Sequence, residues 1–179
     1  MASNDIQTAD FSRYNPEGSM LRRDQKELVE ILKVLADICD RNGIRWWLSS
    51  GTLLGAVRHK GFVPWDDDVD IEMLKEDYLK LKKILLEMES AEYFVQCKET
   101  DIEFVDTYMK FRRKEGRLDA KNRRSQYYKH AGLFVDIFCI EKTSYMAARL
   151  SKMIYQEPQH LTGYIKVRWL RRFLIRFIE

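Results

Sequence analysis

Apolar side chains recur at Leu21, Leu28, Ile31, Leu32, Leu35, Ile38 and Cys39, a spacing that predicts an amphipathic helix over residues 20–42. Gly43 is placed to stop it. Residues 44–48 then read as a strand and residues 52–58 as a short helix. From Asp66 the period changes to two: Val69, Ile71 and Met73 fall on one face, Asp68, Asp70 and Glu72 on the other. A second helical stripe, Tyr78, Leu81, Leu85 and Met88, predicts a helix over residues 75–88. Strands are expected over 93–98 and 107–112, the latter with Tyr108, Lys110 and Arg112 on one face. Residues 132–140 form a nearly unbroken apolar run interrupted by Asp136. Residues 144–155 predict a further helix, and Pro158 breaks the chain. Ile165, Trp169, Phe173 and Phe177 then recur at helical spacing, with Lys166, Arg168, Arg171, Arg172 and Arg176 on the remainder. Helices and strands in this order predict an α+β fold, a short mixed β-sheet flanked by helices. The expected organisation is an irregular lead-in over 1–19, one domain over 20–142 and a helical segment over 143–179.

The 179 residues suffice for one domain with a sizeable core. A net charge of +3 is too small to argue for nucleic acid. Residues 113–129 are basic with Tyr127 and Tyr128 near the end; they read first as a solvated loop, with a lid over an anionic ligand or a nucleic-acid contact as alternatives. Cys39, Cys97 and Cys139 are scattered and show no C-x-x-C spacing, which fits a reducing compartment and argues against structural zinc. The first residues lack the apolar core of a signal peptide, and no run is long enough to span a bilayer. The expected location is therefore cytoplasmic. The basic C-terminal helix keeps peripheral contact with the inner face of the membrane as an alternative. The chain stops at Glu179 without a cap or polar tail, which reads as a chain cut short.

Two features carry chemistry. Ser49-Ser50-Gly51-Thr52 places small residues at a strand-to-helix turn, where backbone N–H groups approach a phosphate and the helix dipole favours it. Asp68 and Asp70 then share one strand face, where they repel unless a cation neutralises them; hard divalent ions bind carboxylates together with substrate phosphates. Either feature alone is commonly just a turn or a solvated acidic loop. Together they suggest metal-dependent phosphoryl or nucleotidyl transfer. A calcium loop fails, because no Gly falls at the sixth position and no Glu at the twelfth from Asp66 or Asp68. An aspartyl-phosphatase nucleophile would want an apolar strand before the first Asp, and Pro64-Trp65 stands there instead. Arg58, Lys60 and His59 are cationic neighbours, with Arg58 the best placed for substrate phosphate. Trp65 reads as loop packing rather than base stacking. Asp136, a carboxylate inside an apolar strand, is either paired or functional.

The stretch GTLLGAVRHKGFVPWDDDVDIEM, residues 51–73, strongly resembles the LicD family, whose nucleotidyltransferase-like domain is shared with fukutin and fukutin-related protein. The resemblance extends over about residues 21–141. It implies that Gly51-Thr52 is the phosphate turn, that Asp68 and Asp70 are the acidic pair, and that Asp136 in GLFVDIF is the third acidic position. Lys110 and Arg112 are similar to a Lys-x-Arg pattern of bacterial members and join Gly51, Thr52 and Arg58 as candidate ligands of the donor. Cys139 stands where the family usually has Pro. The implied activity moves a phospho-alcohol such as phosphocholine, or ribitol phosphate, from a CDP-linked donor such as CDP-choline to a glycan or glycolipid acceptor. That acceptor would belong to lipopolysaccharide, teichoic acid or capsule. In this reading Asp68, Asp70 and Asp136 hold Mg²⁺ or Mn²⁺, or Asp136 serves as general base. The alternatives are nucleotidyl transfer to a small molecule, a glycosyltransferase using Asp68-Val69-Asp70, and an inactive nucleotide- or glycan-binding module. No nucleic-acid partner is expected.

Overall fold

The structure is a computed structural model that describes residues 11, 13–116 and 125–151. The expected C-terminal amphipathic helix and the centre of the basic stretch, residues 117–124, lie outside the described residues.

Helix α1 spans Met20–Arg41. Its N-cap Ser19 has extended backbone, and its hydroxyl accepts the Arg22 N–H at 3.1 Å. Gly43, at φ +58°, takes the left-handed conformation expected of a helix stop. The predicted stripe is the buried one: Leu28, Ile31, Leu35, Ile38 and Cys39 all face the core. Strand β1, Trp47–Leu48, is shorter than the expected 44–48. It pairs antiparallel with β2, Asp70–Leu74, through Trp47↔Glu72 and Leu48↔Ile71. Strand β2 passes into α3 at Lys75, so by this register Ile44 has no strand opposite it.

Between them α2 covers Ser50–His59. After β2 come α3, Lys75–Glu87; β3, Tyr93–Gln96; β4, Met109–Arg113; β5, Phe134–Ile140; and α4, Tyr145–Ser151. Strand β3 ends earlier than predicted because Asp101 N–H closes a turn on Cys97 O at 2.9 Å and Thr100 Oγ1 donates to Val95 O at 2.7 Å. A short 3-10 turn, Ser125–Tyr127, precedes β5.

The five strands form one mixed sheet in the order β1-β2-β5-β4-β3. Only β2 and β5 are parallel; the other pairings are antiparallel. Helices α1 and α3 pack against the sheet, and α2 packs on β2. The two-residue period sorts the strands cleanly: Val69, Ile71, Met73, Met109, Phe111, Val135 and Ile137 are buried in the core shared with α1 and α3. The opposite face carries Asp70, Glu72, Lys110, Arg112 and Asp136. No described helix is long and apolar enough to cross a membrane.

Gly55 lets α2 lie directly on the loop that follows it. A Cβ there would sit 2.6 Å from Gly61 O and 2.7 Å from Val63 N, both backbone atoms that cannot rotate away. Alanine would gain helix propensity of ~1 kcal/mol, yet the backbone clash outweighs it. Gly55→Ala is expected to destabilise the fold by about 1–3 kcal/mol in urea unfolding. A neutral or stabilising result would mean that the loop yields.

Candidate active site

Three strands deliver one polar row. Asp70 of β2 and Lys110 of β4 are both register neighbours of Asp136 in β5, so the three side chains stand side by side on one face. Asp136 and Lys110 are buried, and Lys110 Nζ donates to Asp136 Oδ1 at 2.5 Å. The ammonium also lies 3.5 Å from the Phe134 ring centroid and 5.2 Å from that of Tyr108. Burial pushes the Asp136 carboxyl above its ordinary value, and Lys110 pulls against that shift. Burial lowers Lys110 in turn, with Asp136 opposing. Arg112 is buried as well; its guanidinium donates to His130 O at 2.5 Å and stands 4.9 Å from the Phe134 ring.

The acidic run is anchored from several sides. Asp70 N–H donates to Thr52 Oγ1 at 2.9 Å, while Ser49 N–H donates to Asp70 O at 3.0 Å. Asp136 N–H donates to Val69 O at 2.8 Å. From α1, the buried Gln25 donates its amide to Asp66 O at 2.8 Å. These bonds gather Asp66, Asp68, Asp70 and Asp136 close enough to perturb one another. The Asp70 carboxyl is pushed up to about 6, chiefly by burial, then by Asp68, Asp136 and Asp66. Asp66 is also raised to about 6, by burial and then by Asp68. Carboxylate oxygens of Asp66, Asp67 and Asp68 come within 4.8 Å of one another, and Asp66 Oδ2 is a buried atom without a hydrogen-bond partner.

The start of α2 meets this run. Ser50 has φ +47°, a left-handed conformation that costs a non-glycine residue about 1–2 kcal/mol and is characteristic of functional turns. A Cβ on Gly51 would lie 2.7 Å from Asp66 Oδ2, so any larger residue at the helix start would have to displace the first carboxylate. Among the described residues, the N–H groups of Ser50, Gly51 and Thr52 make no hydrogen bond, as expected of the first turn of a helix.

Of the residues singled out from the sequence, Gly51, Thr52, Asp68, Asp70, Asp136 and Lys110 come together. Arg112 stands one row along, opposite Phe134 in the register. Among the described residues Arg58 makes no hydrogen bond or ion pair with them: it is exposed in the last turn of α2, roughly 9 Å of helix rise from Thr52. Trp65 is 59 % exposed and makes edge contacts with Phe11 and Tyr14, ring centroids 6.3 and 5.7 Å away. Asp66 and Glu72 were not singled out by sequence reasoning, although both share the parity of Asp68 and Asp70. Glu72 is engaged at the β1 end, where Ser49 Oγ donates to Oε1 at 2.5 Å and Trp47 Nε1 donates to Oε2 at 3.2 Å. The cysteines are free, and burial raises each thiol, Cys39 to about 12, so none is poised as a nucleophile.

The donor set suits a hard divalent ion. It consists of carboxylate oxygens whose mutual repulsion is relieved by a cation, with the orphaned Asp66 Oδ2 among them. The residues present therefore fit such an ion, with Asp136 Oδ1 already committed to Lys110.

Comparison with known proteins agrees with this arrangement. Residues 43–162 match the description "LicD/FKTN/FKRP, nucleotidyltransferase domain". The chain is 33% identical over 120 residues to the lipopolysaccharide cholinephosphotransferase LicD of Haemophilus influenzae, covering 66% of this chain and 43% of that protein. It is 41% identical over 80 residues to an uncharacterised protein of Rickettsia prowazekii, covering 41% and 30% of the two chains. Over 52 residues it is 40% identical to the human ribitol 5-phosphate transferase FKRP, covering 29% of this chain and 10% of that one. The matched stretch thus spans less than half the length of each of these relatives. With the family match running over most of the chain, and the mixed sheet and acidic row in place beneath it, this protein belongs to the LicD family and carries its nucleotidyltransferase-like α+β domain.

Proposed function

We propose that this chain is the catalytic domain of a metal-dependent phosphotransferase that moves a phospho-alcohol group, phosphocholine-like, from a CDP-linked donor to a cell-surface glycan. The observation that carries the reading is the convergence of Asp68, Asp70 and Asp136 beside the open first turn of α2. The names of the relatives, a cholinephosphotransferase and ribitol phosphate transferases, support the class of cargo.

Asp68 and Asp70 would hold Mg²⁺ or Mn²⁺. A bound ion would supply charge neutralisation at the transferring phosphate. The N–H groups of Gly51 and Thr52 would receive donor phosphate oxygens at the positive end of α2. The acceptor hydroxyl would lose its proton to a carboxylate of the row, Asp136 or a neighbour, as its oxygen bonds to phosphorus and the bond to CMP breaks. Lys110 holds Asp136 in place and, with Arg112, adds positive potential on this face of the sheet. Arg58 would reach the donor only through its own long side chain. Contact of the C-terminal basic segment with an anionic membrane surface, where glycolipid acceptors reside, belongs to the same reading.

Calorimetric titration with Mg²⁺ tests this, comparing CDP-choline, CDP-ribitol, CTP and UDP-glucose on wild type and Asp68→Asn. Binding of a CDP-alcohol that requires the metal, weakened at least tenfold in Asp68→Asn, is the expected result. Preference for CTP would replace this reading with nucleotidyl transfer to a small molecule, and binding that ignores metal would sink it.

A further inference from the structure

Serine is among the best N-cap residues, because its oxygen accepts a first-turn N–H. This chain offers an internal comparison. Ser19 and Ser49 both precede helices with extended backbone, at ψ 158° and 170°. Ser19 caps α1 through its side chain; Ser49 makes no side-chain cap bond to α2. Its backbone is engaged in the ordinary way, since Leu53 N–H donates to Ser49 O at 2.9 Å. Two things differ: Ser50, the first residue of α2, is left-handed at φ +47°, and the Ser49 hydroxyl, 3.3 Å from Ser50 Oγ, donates to Glu72 Oε1 at 2.5 Å. A hydroxyl-to-carboxylate bond is roughly twice as strong as a neutral one, so Glu72 outcompetes the first turn for this side chain. Glu72 cannot follow the serine toward the helix, because Trp47 Nε1 holds its other oxygen at 3.2 Å and the Trp47↔Glu72 register fixes its backbone.

We propose that Glu72 is a positioning residue: by holding the Ser49 hydroxyl it keeps α2 uncapped, so that the N–H groups of Gly51 and Thr52 stay open to the donor's phosphate. The inference rests on the phosphate-turn reading above and deepens it by assigning the device that keeps the turn vacant. An ordinary serine cap would occupy the same donors and would have to be displaced at every binding event.

The test has two readouts on the full chain. In protein free of metal and ligand, amide exchange at Gly51 and Thr52 is followed by NMR in wild type, Glu72→Ala, Glu72→Gln and the double variant Ser49→Ala/Glu72→Ala. Release of the hydroxyl in Glu72→Ala should let Ser49 cap the helix and slow exchange at one of these amides about fivefold. Glu72→Gln keeps an acceptor oxygen and should exchange like wild type, as should the double variant, which has no hydroxyl left to cap. Binding of CDP with Mg²⁺ should weaken about fivefold in Glu72→Ala and return to within about twofold of wild type in the double variant. A purely structural Glu72 would leave the double variant as weak as the single one, and that outcome overturns the proposal, as would unchanged exchange in Glu72→Ala. Wild type that fails to bind CDP while exchange behaves as expected would overturn the phosphate reading and this use of Glu72 with it.

Discussion

Asp70→Asn should lose about a thousandfold in donor turnover, the loss of several kcal/mol of metal-borne charge stabilisation, and yet melt higher than wild type when metal is absent at about pH 7.5. The second half follows from the electrostatics of the row. Burial, Asp68, Asp136 and Asp66 raise the Asp70 carboxyl from 3.8 to about 6, so the folded protein holds this proton more tightly than the unfolded chain. Stability contributed by the group is fully present below about pH 4 and is lost as pH rises through about 6. At neutral pH the ionised carboxylate is therefore a burden on the fold, and asparagine of the same shape relieves it. Asp70 is only partly buried, so solvent screening reduces the gain to roughly 1 kcal/mol, or about 2–4 °C. The gap between variant and wild type should close below about pH 4 and be widest above about pH 6. Added Mg²⁺ should raise the melting temperature of wild type and leave the variant nearly unchanged. Turnover within tenfold of wild type would remove Asp70 from the chemistry. A variant that melts lower than wild type by the same margin at every pH would show that Asp70 is structural.

Lys110→Met should cost about 3–5 kcal/mol in urea unfolding at neutral pH, among the largest effects open to a single substitution in this domain. The buried Asp136, already raised by burial, would lose the Lys110 hydrogen bond and charge that favour its ionised form, in a row already holding Asp70 and Asp68. The loss should shrink toward acid pH, where Asp136 takes up a proton and no longer needs a partner. Lys110→Met/Asp136→Leu should recover to within roughly 1 kcal/mol of wild type, because a well-packed apolar pair often replaces a buried ion pair without loss. The Phe134 ring, 3.5 Å from the ammonium, offers the thioether a favourable neighbour. A single-variant loss below about 1 kcal/mol, or a double variant as unstable as the single one, would show that Lys110 is not the counter-charge holding Asp136 in the fold.

Periodicity alone determined much of this protein. The stripe in residues 20–42 became α1 with the predicted residues buried, and the switch to a two-residue period at Asp66 put Val69, Ile71 and Met73 in the core. An aspartate alone in an apolar strand marked Asp136, because a carboxylate there has to be partnered or used. These readings succeed because each depends on neighbours along the chain. Tertiary structure decided what depends on neighbours across it. That Lys110, Asp136 and Asp70 stand in one row is a matter of strand order and register, in which residues far apart in sequence meet. Lys110 thus emerged as the buried partner of Asp136, and Arg58 as an exposed residue at the far end of α2. Asp66 shares the parity of the pair, but only the packing of Gly51 against it and the Gln25 bond to its carbonyl draw it to the site. Ser49 reads in sequence as one of the small residues of the turn, and only the β1–β2 register brings Glu72 within reach of its hydroxyl. Local pattern fixes which way a side chain faces, while competition among partners for the same polar atom is settled only once the chain has folded back on itself.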